Sequence, residues 1–457
     1  MTFDVKTLDQ IASELQGYDP QALSADSVLA FLRKLVTPVQ EATDLPLFEA
    51  LGRVLATDVI SPFDVPPHDN SAMDGYAFDG SRLSADAPLE LKTTGATAFA
   101  GKAWQGTPQA GQCIKVMTGA IMPPGFDTVV PQELVSVRGN FVTIPAKLLT
   151  AGDNRRLRGE DLTRGQSALL KGELITPARL GLAASLGLKT LHCWRPLRVA
   201  YFSTGDEILS LGEAPREGAI YDSNRYTVFG MLKRLGCEVI DMGVVRDDPA
   251  QLEAAFIDAA AKADAIVTSG GVSVGEADYT KAMMRKLGDV AFWRIAMRPG
   301  RPMAVGRLQS RGPAPEHQAK SPFSPGSAGA VSYQTNSTTN GAILFGLPGN
   351  PVAVMVTFLA FVRPALLQMM GASTAPQPLL RARSQEPIRK KPGRTEYQRG
   401  WVSTAADGSL QVKTTGNQGS GVLSSMAEAN GLMVLHHAQG NIAAGEEVDV
   451  LMFEGAI

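Results

Sequence analysis

Cysteine is scarce in this chain: only Cys113, Cys193 and Cys237 occur in 457 residues, and they lie far apart. They form no C-x-x-C pair and no even framework, which argues against structural zinc and a disulfide scaffold. The five histidines show no metal-ligand spacing either. An excess of one charge is also missing. With a formal net charge of −2 the chain is not a general nucleic-acid or membrane-surface binder, so any anion recognition must be local. Residues 1–20 hold several acids and no continuous apolar core, so no signal peptide is expected. The longest apolar run, residues 352–362, contains Thr357 and stops at Arg363-Pro364, which reads as too short to span a bilayer. These absences predict a cytoplasmic protein that binds neither nucleic acid nor membrane.

What is present is a soluble composition, 44% hydrophobic and 19% charged, in a chain too long for one ordinary core. The 46 glycines and 29 prolines imply many turns and several β-rich parts. Residues 24–36 predict an amphipathic helix capped by Ser24, with Val28, Leu29, Leu32 and Leu35 on one face. A second helix is expected over residues 45–55. A proline-rich entry (Pro62, Pro66, Pro67) leads to short β-like runs at 89–94, 111–117, 127–133 and 141–146. Strand and helix alternate over residues 197–370, which predicts a parallel sheet with helices on both faces. The Ser-, Pro-, Gly- and Thr-rich tract 309–341 lacks periodicity and reads as a disordered surface insertion between two adjacent strands. After Pro376 the alternation becomes β-like again, suggesting a small barrel or sandwich.

Several polar clusters fall in loops. The richest follows the apolar run 265–267: Ser269-Gly270-Gly271, then Ser273, Gly275, Glu276 and Asp278, before a helix carrying Met283, Met284 and Leu287. A glycine-rich turn at a strand's carboxyl end lets backbone N–H groups approach an anion, and an acidic pair there suits a hydrated Mg²⁺ beside phosphate. The same stretch matches G-x-S-x-G, but its serine is not at a strand-to-helix turn, and the later histidines are only His317, His436 and His437; a hydrolase elbow is disfavoured. Ser203 to Glu207 form a Thr-Gly-Asp-Glu turn at another strand end. Asp222, Ser223 and Asn224 suit a helix cap, as do Asp247 and Asp248. Arg294, Arg298 and Arg301 are read as gathered by one strand and a Pro-Gly turn, either as an oxyanion site or as anchors at a subunit interface. The loops around Asp69 to Tyr76, Lys115 to Gly119 and Arg155 to Asp161 are ordinary singly: Asx-turns, a strand end, and a solvated run of ion pairs.

Taken in order these motifs are specific: PxxDNSAMDGYA, IKVMTGA, RxxGED, FSTGDE, YDSNR, TSGGVSVGEADYTK, RPGRP, GLPGNPV, QRG at 398–400 and GNQGS at 416–420. The chain resembles the molybdopterin molybdenumtransferases and the E domain of gephyrin over roughly residues 24–455, leaving out the 309–341 tract. That resemblance implies insertion of molybdate into adenylylated molybdopterin with release of AMP, assisted by Mg²⁺. It implies a multidomain α/β and β fold in four parts: a central linking domain (22–61 and 157–196), a β-rich lever domain (62–156), a three-layer α/β molybdopterin-binding domain (197–375) and a C-terminal β-barrel (376–457). It also implies an elongated homodimer, whose cleft joins the α/β and barrel parts of one subunit to the lever of the other, and transient contact with a molybdopterin adenylyltransferase.

Carried over by motif, the catalytic set is Asp74, Thr118, Asp161, Glu207 and Asp278. The substrate-binding set is Ser269, Gly270, Gly271, Ser273, Arg294, Arg298, Arg301, Pro348, Gly349, Asn350, Arg399 and Ser420. Asp247, Asp248, Asp278 and Glu207 are the candidates for metal. This chain departs from the family in carrying arginine where the KPGKP-like turn has lysine, and Ala353 where a serine follows GLPGNPV. The chemistry needs no protein nucleophile: the oxyanion is held by Arg and backbone N–H donors, and Mg²⁺ acts as a Lewis acid on the adenylyl phosphate. Two other readings stay open, an adenylyltransferase, which would need only residues 197–370, and a scaffold without catalysis.

Overall fold

The computed structural model describes residues 6–272, 279–309, 341–373 and 375–453. Contacts divide the chain into two units. One comprises Met1–Ala56, Gly172–Thr176 and His192–Ile457; the other comprises Thr57–Lys171 and Pro177–Leu191. In the first, helix α1 (Ala25–Leu35) begins where Ser24 accepts the Ser27 amide at 3.1 Å, and it buries Val28, Phe31, Leu32 and Leu35. The helix expected over 45–55 does not form. A strand, Ala42–Pro46, runs into a single helical turn, Leu47–Ala50. Gly52 then turns the chain at φ +74°, and Val54 and Leu55 make β-bridges to Leu174 and Cys193. Pro46 has no N–H for a preceding turn, and Phe48 is 95% exposed, so the apolar residues never share one face.

The second unit is built on a six-stranded sheet from the β-like runs. Its strands are β1 (Gly75–Phe78), β2 (Leu89–Ala98), β3 (Gln112–Val116), β4 (Thr128–Pro131), β5 (Ser136–Arg138) and β6 (Phe141–Ile144). Their order is β4-β1-β3-β2-β6-β5. Alternation buries Ala77, Ile114, Val116 and Val129 on one side and Phe78, Cys113, Val130 and Val142 on the other.

In the first unit, β7 (Arg198–Thr204), α2 (Ser223–Arg234), β8 (Glu238–Val245), α3 (Pro249–Lys262) and β9 (Ala265–Ser269) follow the predicted alternation. Helix α4 (Tyr279–Leu287) and strands β10 (Gly288–Arg294), β11 (Met297–Arg298), β12 (Pro302–Leu308) and β13 (Ala342–Leu347) come next. The sheet runs β8-β7-β9-β13-β12-β10, parallel through β13 and antiparallel beyond. Val199 and Tyr201 face a core containing α2 residues Val228 and Leu232; Ala200 and Phe202 face one containing α3 residues Leu252 and Phe256. That division makes three layers. Strands β12 and β13 pair directly, Leu308 opposite Ala342, so the interrupting tract leaves and returns at one hairpin end; residues 310–340 themselves lie outside the described residues.

The apolar run after β13 does not stop at Arg363-Pro364. It forms α5 (Pro351–Met369), the one helix among the described residues long and apolar enough to cross a membrane. The chain gets past Pro364 through a π-helical turn, Phe358–Val362, whose wider hydrogen-bonding pattern accommodates the missing proline N–H. Its most apolar window is 67% buried within the protein, with Val352, Val354, Val356, Phe361 and Leu366 in the same core as β7, so the helix serves as a core element.

A closed barrel follows: β14 (Leu380–Ser384), β15 (Thr395–Thr404), β16 (Leu410–Thr414), β17 (Gly431–Leu435) and β18 (Glu447–Met452). The circuit β15-β16-β14-β18-β17 closes by pairing of β17 with β15, and the short β11 adds to the outer edge of β15. The barrel's interior holds Val402, Val412, Met433, Leu435 and Val450.

Candidate active site

In the first unit, the carboxyl ends of β7, β9 and β13 open into a cavity of about 770 Å³. Two adjacent glycines shape its floor. Gly270 and Gly271 have φ of +93° and +63°; a Cβ would lie 2.5 Å from Thr204 O in the first case and 2.6 Å from Thr280 in the second. The backbone can come this close only without side chains. Beneath them lies a buried hydroxyl layer: Tyr201 OH is 2.7 Å from Ser269 Oγ and 2.9 Å from Ser203 Oγ. Burial, with the Asp222 charge nearby, raises the Tyr201 phenol, so it stays protonated. Ser269 is therefore part of the support under the floor and does not line the cavity. Ser273, Glu276 and Asp278 lie outside the described residues.

Two carboxylates, Glu207 and Asp247, line the cavity. The Asp247 amide donates to Asp206 Oδ1 at 3.2 Å, tying the two acidic loops together. Asp248 instead caps α3, accepting the Gln251 amide at 2.9 Å. Asp222 caps α2 in the same way. Among the described residues no cluster of three His, Cys, Asp or Glu side chains is disposed to hold a metal.

Arg298 and Arg301 both line the cavity, and neither guanidinium has an ion-pair or hydrogen-bond partner among the described residues. Arg294 does not share a strand with them. β10 ends at Arg294, opposite Pro302, while Met297 and Arg298 pair with Thr395 and Glu396 of the barrel. Leu23 forms a bridge with the intervening Ile295 and donates its N–H to Arg294 O, which breaks the extended run, and Arg294 lies outside the cavity lining. Gly300, at φ +89°, lets the turn pack against α5; a Cβ there would sit 2.4 Å from Thr357 Oγ1.

Pro348, Gly349, Asn350 and Ala353 line the opposite approach, with Gln418 to Ser420 from the barrel. Arg399 is placed differently from a ligand contact. Its side chain is buried and holds the barrel loop from behind, donating to Asn417 O (2.9 Å), Gln418 O (3.2 Å), Gly419 O (2.9 Å) and Ser425 Oγ (3.0 Å). Burial, and then the Arg298 charge, pull it down to about 10. Two residues were not picked out in the sequence, one behind the cavity wall and one on it. Asn224 reads there as a helix-cap residue, yet its amide donates to Gly349 O at 2.7 Å. Arg394 also lines the cavity, and its only signal was a place among the basic residues before β15.

In the second unit three loops that looked ordinary singly come together. Asn70 and Ser71 pair with Arg156 and Arg155, Gly119 donates its N–H to Ser71 O, and Asp69 accepts the Arg158 amide at 2.8 Å. Asp74 Oδ1 accepts both the Thr118 amide and its hydroxyl, each at 2.7 Å. These donors, amide first, hold the Asp74 carboxyl below its ordinary range. Asp161 is exposed on the third loop, its amide bonded to Val65 O.

A three-layer α/β domain with a glycine-floored, arginine-lined cavity at the sheet's carboxyl edge defines the class of α/β proteins whose site lies beyond the strand ends, with a lining whose arginines suit an anion. Family profiles described as "MoeA N-terminal region (domain I and II)", "Probable molybdopterin binding domain" and "MoeA C-terminal region (domain IV)" match residues 23–187, 200–368 and 381–453. The chain is 38% identical to a molybdopterin molybdenumtransferase of Haemophilus influenzae over 92% of its own length and 96% of the relative's. It is 33% identical to one from Nostoc over 99% and 98%. A crystal structure of the molybdopterin biosynthesis moeA protein from Pyrococcus horikoshii shares the fold, with a TM-score of 0.68 at 27% identity, covering 95% of this chain and all of that one. Gephyrin of Dictyostelium discoideum is 30% identical over 90% of this chain and 59% of its own. The chain belongs to the molybdopterin molybdenumtransferase family and is an enzyme of that class.

Proposed function

We propose that the cavity takes adenylylated molybdopterin and molybdate, and that the enzyme transfers molybdenum to the dithiolene while AMP leaves, the last step of molybdenum-cofactor assembly. One observation carries this reading: Arg298 and Arg301, without partners among the described residues, share one cavity with the carboxylates Glu207 and Asp247. The arginines suit a dianionic oxyanion, which they can bind through charge-assisted hydrogen bonds. The chain also carries a β-rich unit and a barrel besides the α/β layer, more than an adenylyltransferase alone requires.

Mg²⁺ fits the described donors. It commonly takes one or two carboxylates, with waters and phosphate completing its shell, and Glu207 and Asp247 supply two. When bound it would neutralise charge on the adenylyl phosphate. Around it the protein's own groups orient the ligands: Arg298 and Arg301 hold the oxyanion, the Gly270-Gly271 turn lets the phosphate approach the backbone, and the Asn350–Ser420 contact closes one wall. Asp278 belongs to this reading as a metal or catalytic carboxylate, and Asp74, Thr118 and Asp161 of the β-rich unit belong to it as catalytic residues. A cytoplasmic homodimer that receives its pterin from an adenylyltransferase completes it.

The test is to mix purified protein with adenylyl-molybdopterin, Mg²⁺ and molybdate and to follow AMP release. Molybdate-dependent AMP release is expected. Its absence, with protein shown to be folded, would exclude the transferase reading.

A further inference from the structure

Tyr279 is the one aromatic side chain among the described residues that line the cavity. It opens helix α4, whose buried residues Thr280, Met284 and Leu287 recur at i, i+4 and i+7 and form the inward face. Thr280 seats the start of the helix on the glycine floor: a Cβ on Gly271 would lie 2.6 Å from its side chain. Tyr279 comes one residue before that face, about 100° around the helix, and remains 50% exposed. Neither its ring nor its hydroxyl has a partner among the described residues.

Single exposed aromatics are common on protein surfaces and need no special account. This one differs in lining a cavity that offers no other aromatic face among its described residues. The ligand proposed above carries two flat heteroaromatic systems, the pterin and the adenine, with its phosphates between them. The dithiolene lies on the pterin side and must meet the oxyanion, which falls to Arg298 and Arg301. Tyr279 instead adjoins Thr280, the residue packed on the Gly270-Gly271 turn where the phosphate approaches the backbone. The ring beyond the phosphate is the adenine.

We infer that Tyr279 is a specificity-determining residue whose ring stacks on the adenine of the leaving nucleotide. This rests on the function proposed above. Stacking of a base on an aromatic side chain contributes about fivefold or more in affinity. Every base has a π-face, so the contact reads size and flatness and needs no hydrogen bond from the phenol. A purine presents a larger face than a pyrimidine, so the cavity favours an adenylylated ligand over one carrying a smaller base.

Calorimetric titration of the purified protein with AMP, CMP and ribose 5-phosphate in the presence of Mg²⁺ tests this. Wild type should bind AMP more tightly than CMP, and CMP more tightly than ribose 5-phosphate. Tyr279→Ala should weaken AMP binding about fivefold or more, leave ribose 5-phosphate within about twofold of wild type, and narrow the gap between AMP and CMP. Tyr279→Phe keeps the ring and should hold AMP within about twofold of wild type. Tyr279→Leu keeps apolar bulk without a π-face and should resemble the alanine variant. AMP affinity near wild type in Tyr279→Ala or Tyr279→Leu, equal loss of AMP and ribose 5-phosphate, or a loss in Tyr279→Phe as large as in Tyr279→Ala would each overturn the assignment. The side chain is half exposed, so three substitutions at one surface position decide the matter without depending on any core group. Wild-type protein that releases AMP in response to molybdate but binds AMP no more tightly than ribose 5-phosphate overturns this inference alone; wild type that neither releases nor binds AMP removes the proposed function as well.

Discussion

The side-chain amide of Asn350 donates to Ser420 Oγ at 3.0 Å, and the Val352 amide donates to Ser420 O at 3.1 Å. Through Ser420 the first turn of α5 is fastened to a loop of the barrel, so two folding layers meet at the cavity wall. Behind the loop Arg399 supplies four further hydrogen bonds. The wall is therefore a continuous bonded structure from the α2 cap through Asn224, Gly349 and Asn350 to Arg399.

Breaking the fastening should affect turnover more than stability. A net hydrogen bond contributes about 0.5–1.5 kcal/mol. Asn350→Ala should lower the melting temperature by only a few degrees and reduce kcat/KM by about tenfold, because the wall loses its register. Steady-state AMP release alongside thermal melting measures both. An unchanged kcat/KM would show that the contact has no functional part.

Arg298→Ala and Arg301→Ala should each raise the molybdate concentration for half-maximal turnover by roughly ten- to a hundredfold, the effect of about 1.5–3 kcal/mol from a charged hydrogen bond. Arg→Lys at either position should recover most of it. Neither guanidinium bonds to another described residue, so melting curves should stay close to wild type. A large drop in stability would make them structural.

Arg399→Lys should fail where those lysines succeed. Three backbone carbonyls and Ser425 Oγ lie around a planar fork, and an ammonium cannot reach all four. Leaving buried acceptors unpaired costs about 1–3 kcal/mol each. Both Arg399→Lys and Arg399→Ala should therefore destabilise the protein by at least about 2 kcal/mol in urea melts. Near wild-type stability of the lysine variant would contradict the clamp.

Gly300→Ala combines a left-handed φ, costing about 1–2 kcal/mol, with a Cβ 2.4 Å from the buried Thr357 Oγ1. The Arg298–Arg301 turn should shift, raising the molybdate requirement at unchanged charge. A variant with wild-type molybdate dependence would show that the turn's position is not critical.

The Asp74 carboxyl offers a pH test. Thr118 lowers its folded pKa, so its stabilising contribution is present above the unfolded value and is lost as pH falls through the lowered folded one. Thr118→Val removes the hydroxyl but keeps the amide. The Asp74 titration, followed by NMR of the carboxyl carbon, should then move up toward the ordinary carboxylate range without reaching it. No movement would mean that the hydroxyl bond does not form in solution.

Strand and helix positions were legible in the sequence wherever burial follows a simple period. β7 and β9 are continuous apolar runs because both faces are covered, and α1 and α3 show helical spacing with Ser24, Asp248 and Pro249 marking their starts. The glycine pair 270–271 and the Pro-Gly turn could be placed because only such residues tolerate those backbones. Other features were decided by contacts distant in sequence. Leu23 bonds to Arg294 O and separates Arg294 from Arg298. A π turn carries α5 past Pro364. Asp248 is committed to a helix cap, leaving Asp247 on the cavity wall. Arg399 turns inward to hold a loop, and Arg394, unremarkable among its basic neighbours, lines the cavity and bonds to an acid two residues away. Local propensity depends on near neighbours, so one chain suffices to show it. A side chain's direction depends on what packs around it, and that is settled only once the layers have come together.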